Sequence, residues 1–505
     1  MLPNPRFSLG YLRHRVTTLI IATANLSLGI CHVSADDLHS TPCRPNIVLI
    51  LADDLGWGDV GFNGNREVKT PTLDAMAVNG VRFDRFYAAA SVCSPTRGSF
   101  LTGRHPVRYG VFSWGWSLRP AEVTLAEVLK SAGYTTGHFG KWHLGRLTAD
   151  SATSPGAQGF DEWVSSPNYY ENDPLFSRNG TVVETHGESS EVTVDAALGF
   201  ITRATESKQP FAAVIWFGNP HTPHKALDSL REPYAGLPPQ MQHYWGEITG
   251  IDRAVDKLRR RLKALNIADD TLVLFTSDNG AMEPGSTGGL RGKKSTLWEG
   301  GIRVPCVLEW PRRLASPKVV ATPCGTVDIL PTILAAAGAA PPDPKRPLDG
   351  QNILPLIEDA NQERSSPLGF WTYPMRGKGM KSSDILKQQR DAAGESAVKS
   401  PTATTAALVT LIDEDVKDHA RRYPIDEFPG HAAWVDGRYK LHRLPGDKEP
   451  TFELYDLIAD AAEAHDLASS EPRRVADMRA ALDRWQRSVL HSLNGGDDRA
   501  RDKDD

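Results

Sequence analysis

Cys93 heads the stretch CSPTRGSFLTGR, residues 93–104, and the residues around it suit an anion held against a reactive side chain. Ser94 is a good N-cap, Pro95 suits the first helical position and Gly103 the residue past the end. That predicts a short helix with Cys93 at its mouth, where unpaired N–H groups and the dipole favour negative charge. Arg97 adds a permanent cation able to grip an oxyanion with two hydrogen bonds. Asp53-Asp54 and Asp278-Asn279 each follow a buried apolar run directly. One such pair alone is more often a turn or a cap. Two in matching contexts point to an oxygen-only site for a hard cation, Ca2+ or Mg2+ rather than zinc. Lys141, His143, His221 and Lys294 supply cations and proton carriers in loops. Grouped about a metal and a helix start, they could bind a tetrahedral dianion and protonate a leaving oxygen. His105, His138 and His224 are weaker candidates, and His138, inside a strand, is expected to be packed.

The elements that must position these groups read as an alternation of strands and helices. Ile47–Leu51 is a continuous apolar strand running into Asp53. Thr124 and Glu127 form a capping box for a helix that Gly133 ends, and a strand over Tyr134–His138 delivers GKWHLG. Phe211–Phe217 precedes GNPHTPH, and Leu272–Phe275 precedes TSDNG. Ile248, Ile251, Val255, Leu258, Leu262 and Leu265 carry helical spacing over Tyr244–Leu265, whose basic end (Lys257, Arg259, Arg260, Arg261, Lys263) is read as solvated. The pattern predicts an α/β fold with a large central, mostly parallel sheet flanked by helices. Ligands in such sheets lie beyond the carboxyl ends of the strands, where Asp53 and Asp278 fall if their strands are neighbours.

Residues 376–430 mix Lys, Ser, Thr and Ala with little periodicity and are expected to be an insertion or mobile segment. From His431 the pattern turns antiparallel: AAWV, the turn pair Asp436-Gly437, RYKLHRL, then FELYDL and a helix from about Glu471 to Leu490. That predicts a small C-terminal antiparallel sheet plus helix over 431–492, after a main domain over 36–375 and before a charged tail over 493–505.

Among 505 residues, 57 Lys and Arg face 62 Asp and Glu, and the net charge of −5 argues against a nucleic-acid partner. Arg6, Arg13 and Arg15, the apolar Val16–Ile30 and Val33-Ser34-Ala35 read as a cleaved signal peptide over residues 1–35. The protein is therefore expected to be exported, in periplasm, lumen or medium, without a stable membrane span. Cys43, Cys93, Cys306 and Cys324 remain after cleavage, too few for a disulfide framework; a Cys306–Cys324 bridge is left open.

CSPTR followed by LTGR resembles the signature of the formylglycine-dependent sulfatases, the arylsulfatase type within the alkaline phosphatase superfamily. NIVLILADDLGWGDVG at 46–61, GKWHLG at 140–145, SDNG at 277–280 and RGKKSTLWEGGIRVP at 291–305 are similar to further blocks of that family, in family order. The resemblance covers roughly residues 44–370 and implies an alkaline-phosphatase-like fold. It implies that Cys93 is a precursor, oxidised to formylglycine (3-oxoalanine) by a formylglycine-generating enzyme. The hydrated aldehyde attacks sulfur, displaces the alcohol and then expels sulfate. By the same resemblance, Asp53, Asp54, Asp278, Asn279 and the modified Cys93 hold one divalent cation, Ca2+ favoured over Mg2+. Arg97 and Lys141 position the diol, His143 takes the proton that releases sulfate, and His221 and Lys294 bind sulfate oxygens and assist the leaving alcohol. Lys294 is preferred to Lys293 because it stands five residues before Glu299. Ser166, Asn168 and Tyr169 are left without a role.

Two rival functions follow from the same residues: a phosphomonoester or phosphonate hydrolase on this scaffold, and a non-catalytic calcium-dependent sulfoglycan-binding protein. Substrate choice would lie in YGVFSWGWSLRP at 109–120, NYYENDPLF at 168–176 and the 376–430 stretch, with Trp114, Trp116, Tyr169 and Tyr170 either stacking on sugar or packed. Export favours a sulfated carbohydrate, with aryl sulfates as artificial substrates.

Overall fold

Asn46–Ala52 is a seven-residue strand without a polar side chain after Asn46, and such a strand is stable only when both faces are covered. In the computed structural model, which describes residues 44–314, 317–341, 343, 346–359, 362–379, 381–396 and 422–497, it lies near the middle of a ten-stranded sheet. In order across that sheet run Lys318–Val320, Val81–Phe83, Val307–Glu309, Thr271–Ser277, Asn46–Ala52, Phe211–Trp216, Thr135–Lys141, Glu162–Ser166, Leu175–Arg178 and Thr181–Glu184. The five strands from Thr271–Ser277 to Glu162–Ser166 are parallel, and antiparallel pairs flank them. The sheet is thus mixed, with the expected parallel centre.

Side chains alternate across the sheet. Val48 and Ile50 join Ile248, Ile251 and Val255 of the Pro239–Ala264 helix on one face. Ile47, Leu49 and Leu51 join Phe100, Leu101 and Leu129 on the other, where the helices Cys93–Thr102, Leu125–Ser131 and Ile329–Ala337 lie. Register aligns the strand ends: Ala52 pairs with Ser277, Leu51 with Trp216, and Gly140 with Trp216. The residues that follow all emerge at one edge.

A four-stranded antiparallel sheet, Leu368–Thr372, His431–Asp436, Tyr439–Leu444 and Thr451–Asp456, follows with the Pro472–Leu493 helix. Its first strand comes from before the 376–430 stretch. Within that stretch Ser382–Ser396 is helical, with Leu386 fully buried and Gln389 donating to the carbonyls of Leu147 and Gly180. Tertiary contacts hold this turn of chain where periodicity alone gave little signal. Cys306 and Cys324 are buried free thiols. Among the described residues no helix is long and apolar enough to cross a membrane. The expected signal peptide, Cys31, Cys43, residues 397–421 and residues 498–505 lie outside the described residues.

Candidate active site

The Cys93–Thr102 helix is buried along its whole length and ends at Gly103, whose φ of 67° is the left-handed cap expected of glycine. Its start differs from the expectation. The N-cap is Val92, in extended conformation, and Cys93 is the first helical residue. Ser94 does not cap, because its hydroxyl accepts a hydrogen bond from the Gly115 N–H at 2.9 Å. Pro95 sits in the first turn, where its missing N–H costs nothing.

Cys93 faces the carboxyl edge of the sheet, where four parallel strands deliver the predicted residues. Asp53 and Asp54 leave Asn46–Ala52; Asp54 has φ 68°, held by its N–H donating to Asp278 Oδ1 at 3.1 Å. Asp278 and Asn279 leave Thr271–Ser277, and Asn279 Nδ2 donates to Asp54 Oδ1 at 2.7 Å. Lys141 ends the Thr135–Lys141 strand and places its ammonium 2.6 Å from Asp53 Oδ2. Arg97, fully buried, donates through Nε and Nη2 to Asp278 Oδ2 at 3.1 and 2.7 Å, and through Nη1 to the Lys141 carbonyl. Lys294 bridges the site: its ammonium is 2.6 and 2.7 Å from the Asp54 oxygens and 3.6 Å from Cys93 Sγ. His221 follows Phe211–Trp216, with Nε2 3.7 Å from Asp54 Oδ2 and Nδ1 2.6 Å from the Thr222 carbonyl. A carbonyl only accepts, so Nδ1 carries the proton.

Three buried carboxylates beside three cations set the electrostatics. Burial pushes the Asp54 carboxyl up, but Lys294, His221 and Lys141 more than offset this and hold it below the ordinary carboxylate range. Asp278 goes the other way: burial and the neighbouring Asp53 charge raise it despite Arg97. Burial pushes the Cys93 thiol up to about 12, so near pH 7 it is a protonated thiol and a poor nucleophile as it stands. His143 is held neutral by burial and the nearby Lys141 and Arg97 charges.

The residues at this edge could hold a metal ion. Asp53, Asp54, Cys93 and His221 each offer a ligand atom within 4.8 Å of the others. Asp53 Oδ1 and Asn279 Oδ1 are buried without a hydrogen-bond partner, the state expected of oxygens that serve an ion. Asp278 differs, since both its oxygens accept from Arg97 and the Asp54 N–H.

All ten predicted site residues therefore stand at one edge. The weaker histidines do not join them. His138 is packed against Trp142, Phe160 and Trp216. His105 lies under Trp485, and His224 pairs with Glu247. The sequence left Tyr169 without an assigned role, either stacking on sugar or packed; its ring stacks on His221 at 4.6 Å between centroids and 10° between planes. No local signal marks that contact, because the two residues meet only across the sheet edge. Trp116 and Tyr170 are packed, whereas Trp114 is partly exposed.

The chain is 34% identical over 360 residues to N-acetylgalactosamine-6-sulfatase of Homo sapiens, covering 63% of this chain and 66% of that protein. It is 33% identical over 375 residues to human arylsulfatase A, covering 66% and 72%. The solved structure of Ps i-CgsB in complex with k-i-k-neocarrahexaose superposes with a TM-score of 0.72 at 24% identity, over 90% of this chain and 98% of that one. This likeness speaks for the fold. Residues 45–339 match the family model Sulfatase, and with more than half its length inside that match the chain belongs to the sulfatase family of sulfuric ester hydrolases, in the alkaline phosphatase superfamily.

Proposed function

We propose that this protein hydrolyses sulfate monoesters, sulfated carbohydrates above all, to alcohol and inorganic sulfate, with residue 93 as nucleophile after a formylglycine-generating enzyme has converted Cys93 to formylglycine. The observation that carries this reading is the place of Cys93: a buried, protonated thiol at a helix start, 3.6 Å from the Lys294 ammonium and inside the Asp53–Asp54–His221 group. A chain using the thiol itself would need its pKa lowered. A divalent cation, Ca2+ favoured, held by Asp53, Asp54, Asp278 and Asn279, would supply fixed positive charge, and the hydrated aldehyde the attacking oxygen.

The remaining work falls to this chain's own side chains. Arg97 and Lys141, locked by Asp278 and Asp53, orient residue 93 and offset charge without moving. Lys294, kept charged by Asp54, binds sulfate oxygens; His221, which as a neutral ring with its proton on Nδ1 offers only a bare Nε2, does so and assists the departing alcohol once Nε2 has taken up a proton beside Asp54. Neutral His143, its buried Nδ1 without a hydrogen-bond partner, takes the proton whose removal releases sulfate from residue 93. The names of the relatives above support a sulfated sugar as substrate. The Arg6-to-Ala35 segment supports action after export.

Mass spectrometry of the tryptic peptide Phe86–Arg97, from a host able to form formylglycine, tests the reading together with rates on 4-nitrophenyl sulfate and phosphate. The expected peptide has lost sulfur and two hydrogens and gained one oxygen, and sulfate turnover exceeds phosphate turnover. An unmodified thiol with no sulfate turnover overturns it. Faster phosphate than sulfate turnover would favour the phosphohydrolase rival.

A further inference from the structure

His221 is held far more firmly at its backbone than at its ring. The loop that carries it is stapled to the sheet edge. The Asp53 N–H donates to the Asn219 carbonyl at 3.0 Å, and Asn219 Nδ2 donates to Ser189 Oγ at 2.8 Å and Glu188 Oε1 at 3.1 Å. The His221 N–H donates to the Gly218 carbonyl at 3.3 Å. The imidazole keeps one hydrogen bond, from Nδ1 to the Thr222 carbonyl, and Nε2 stands 3.7 Å from Asp54 Oδ2, beyond hydrogen-bond reach. A single hydrogen bond leaves the ring able to tilt about the line it defines. The face of Tyr169 removes that freedom, lying within 10° of parallel to the imidazole at 4.6 Å. Tyr169 is itself well anchored. It follows the Glu162–Ser166 strand, which Thr135–Lys141 separates from Phe211–Trp216, so the two rings meet over the end of the strand that delivers Lys141. Before it, the Asn168 N–H donates to Ser382 Oγ at 2.9 Å; after it, Tyr170 is buried with its hydroxyl 2.7 Å from Thr193 Oγ1. Gly218 admits this segment, since a Cβ there would lie 3.0 Å from the Tyr170 nitrogen.

We infer that Tyr169 is a positioning residue for His221: its ring fixes the imidazole plane and so keeps Nε2 aimed at the oxygen of the departing alcohol. The inference rests on the sulfatase reading and deepens it, giving part of the leaving-group step to a residue outside the ten at the sheet edge. The contact uses the aromatic face and not the hydroxyl, so phenylalanine should serve as well as tyrosine and an aliphatic side chain should not. A basic alcohol needs more help to depart than an acidic phenol. Loss of the ring should therefore weigh on sugar sulfates and hardly on 4-nitrophenyl sulfate. A tyrosine that only filled space would affect both alike.

Steady-state kinetics on 4-nitrophenyl sulfate, phenyl sulfate and a 6-sulfated N-acetylhexosamine test it, each variant taken at the plateau of its own pH profile. Tyr169→Leu should lose about tenfold or more in kcat/KM on the sugar and less than about threefold on 4-nitrophenyl sulfate, with phenyl sulfate between them. The loss should fall on kcat rather than KM, and Tyr169→Phe should match the wild type on all three esters. In protein already carrying His221→Ala, Tyr169→Leu should change nothing further, because a residue that acts through another has no effect once the other is gone. A loss equal on all three esters overturns the inference, as does an additive loss in the double variant or a Tyr169→Phe loss as large as that of Tyr169→Leu. No turnover of any ester by wild-type protein carrying formylglycine would instead overturn the sulfatase reading. Proton–carbon NMR of the histidine rings, with the His221 signal assigned through His221→Ala, then judges the stack. A His221 signal moved upfield by the facing ring in wild type and Tyr169→Phe, and released in Tyr169→Leu, supports it; a signal unchanged by Tyr169→Leu overturns it.

Discussion

Two buried ionic clusters in this protein carry comparable charge and differ in how they are closed. At the sheet edge, Asp53, Asp54 and Asp278 face Arg97, Lys141 and Lys294. At the seam with the C-terminal sheet, Glu299 and Glu463 share the Lys440 ammonium at 2.8 and 3.1 Å, and Arg303 Nη1 stands 3.6 Å from Glu299 Oε2. There Tyr87 donates to Glu299 Oε2, His442 pairs with Glu463 Oε1, and the Glu299 N–H donates to Glu463 Oε2. Every side-chain nitrogen and oxygen of Glu299, Lys440, Glu463 and His442 has a partner, while Asp53 Oδ1, Asn279 Oδ1 and His143 Nδ1 have none. Charge balance does not separate the two clusters; hydrogen-bond closure does. A closed network fixes one arrangement of the chain, and an open one holds donors and acceptors ready for something else.

Replacing one residue in each cluster should break the comparison in opposite ways. Cys93→Ala should lower sulfate turnover by about 10⁴-fold or more, because nothing else in the site can form the covalent intermediate. The thermal midpoint should move by only about 2 °C, as a small side chain is shortened without leaving a charge unpaired. Turnover that survives, measured with 4-nitrophenyl sulfate, would remove residue 93 from the chemistry. Lys440→Met should do the reverse. It leaves Glu299 and Glu463 buried beside each other, which should cost about 3–5 kcal/mol in denaturant unfolding. The folded fraction should keep turnover within about threefold, since Lys440 pairs with Glu299 and Glu463 and with none of the ten site residues. A large loss of kcat at unchanged stability would mean that the seam belongs to the catalytic machinery.

The open cluster was far more legible in the sequence than the closed one. Asp53 and Asp278 follow continuous apolar strands, so their position past a strand end can be read locally, and parallel register then brings them together. Lys294 was recoverable only through the family resemblance, whose pattern sets it five residues before Glu299. The seam joins Glu299 to Lys440 across 141 positions, and in the sequence Lys440 is one more charge in RYKLHRL. A strand's alternation marks which residues face inward but not which buried charge each one meets. Similar reasoning covers Ser94. Its type and place suggested an N-cap, and only the approach of Gly115 from outside the local segment diverts the hydroxyl. The Ser382–Ser396 helix is likewise stabilised by what it docks on, the strands at Leu175–Arg178 and Thr181–Glu184.

Cation binding sharpens the contrast at intermediate size. Chelator-treated protein given Ca2+ at about a hundredfold excess over its dissociation constant should gain about 2.7 kcal/mol, because the ion meets its ligands only in the folded chain. Asp54→Asn, which keeps the shape and removes one charge, should lose most of that gain. In Lys440→Met the gain should persist, since the seam carboxylates lie outside the cation group. A midpoint indifferent to Ca2+ and Mg2+ would mean that the unpartnered oxygens of Asp53 and Asn279 do not serve an ion.

The smallest effect concerns a second closed contact, which ties the main domain to the Pro472–Leu493 helix. Asp349 accepts from Arg108 Nε at 2.7 Å and Nη2 at 2.8 Å, from the His105 N–H and from Trp485 Nε1, so both its oxygens are used. Burial pushes this carboxyl up, but Arg108 and its hydrogen bonds hold it well below the ordinary range. A carboxyl depressed in the folded state stabilises above its unfolded pKa of about 3.9, and that contribution drains away as pH falls. Between about pH 6 and about pH 3.5 the unfolded chain takes up most of one proton at this residue while the folded chain does not, which amounts to roughly 0.7 kcal/mol. Asp349→Asn should therefore be less stable than the wild type at pH 6, with the gap narrowing by about that amount at pH 3.5 in parallel urea titrations. His105, held neutral when folded by burial that pushes it down to about 3, also weakens the fold in acid, but nearly equally in both chains. A gap that widens in acid would show that Asp349 is protonated in the folded protein, and that this contact is closed by something other than the Arg108 pair.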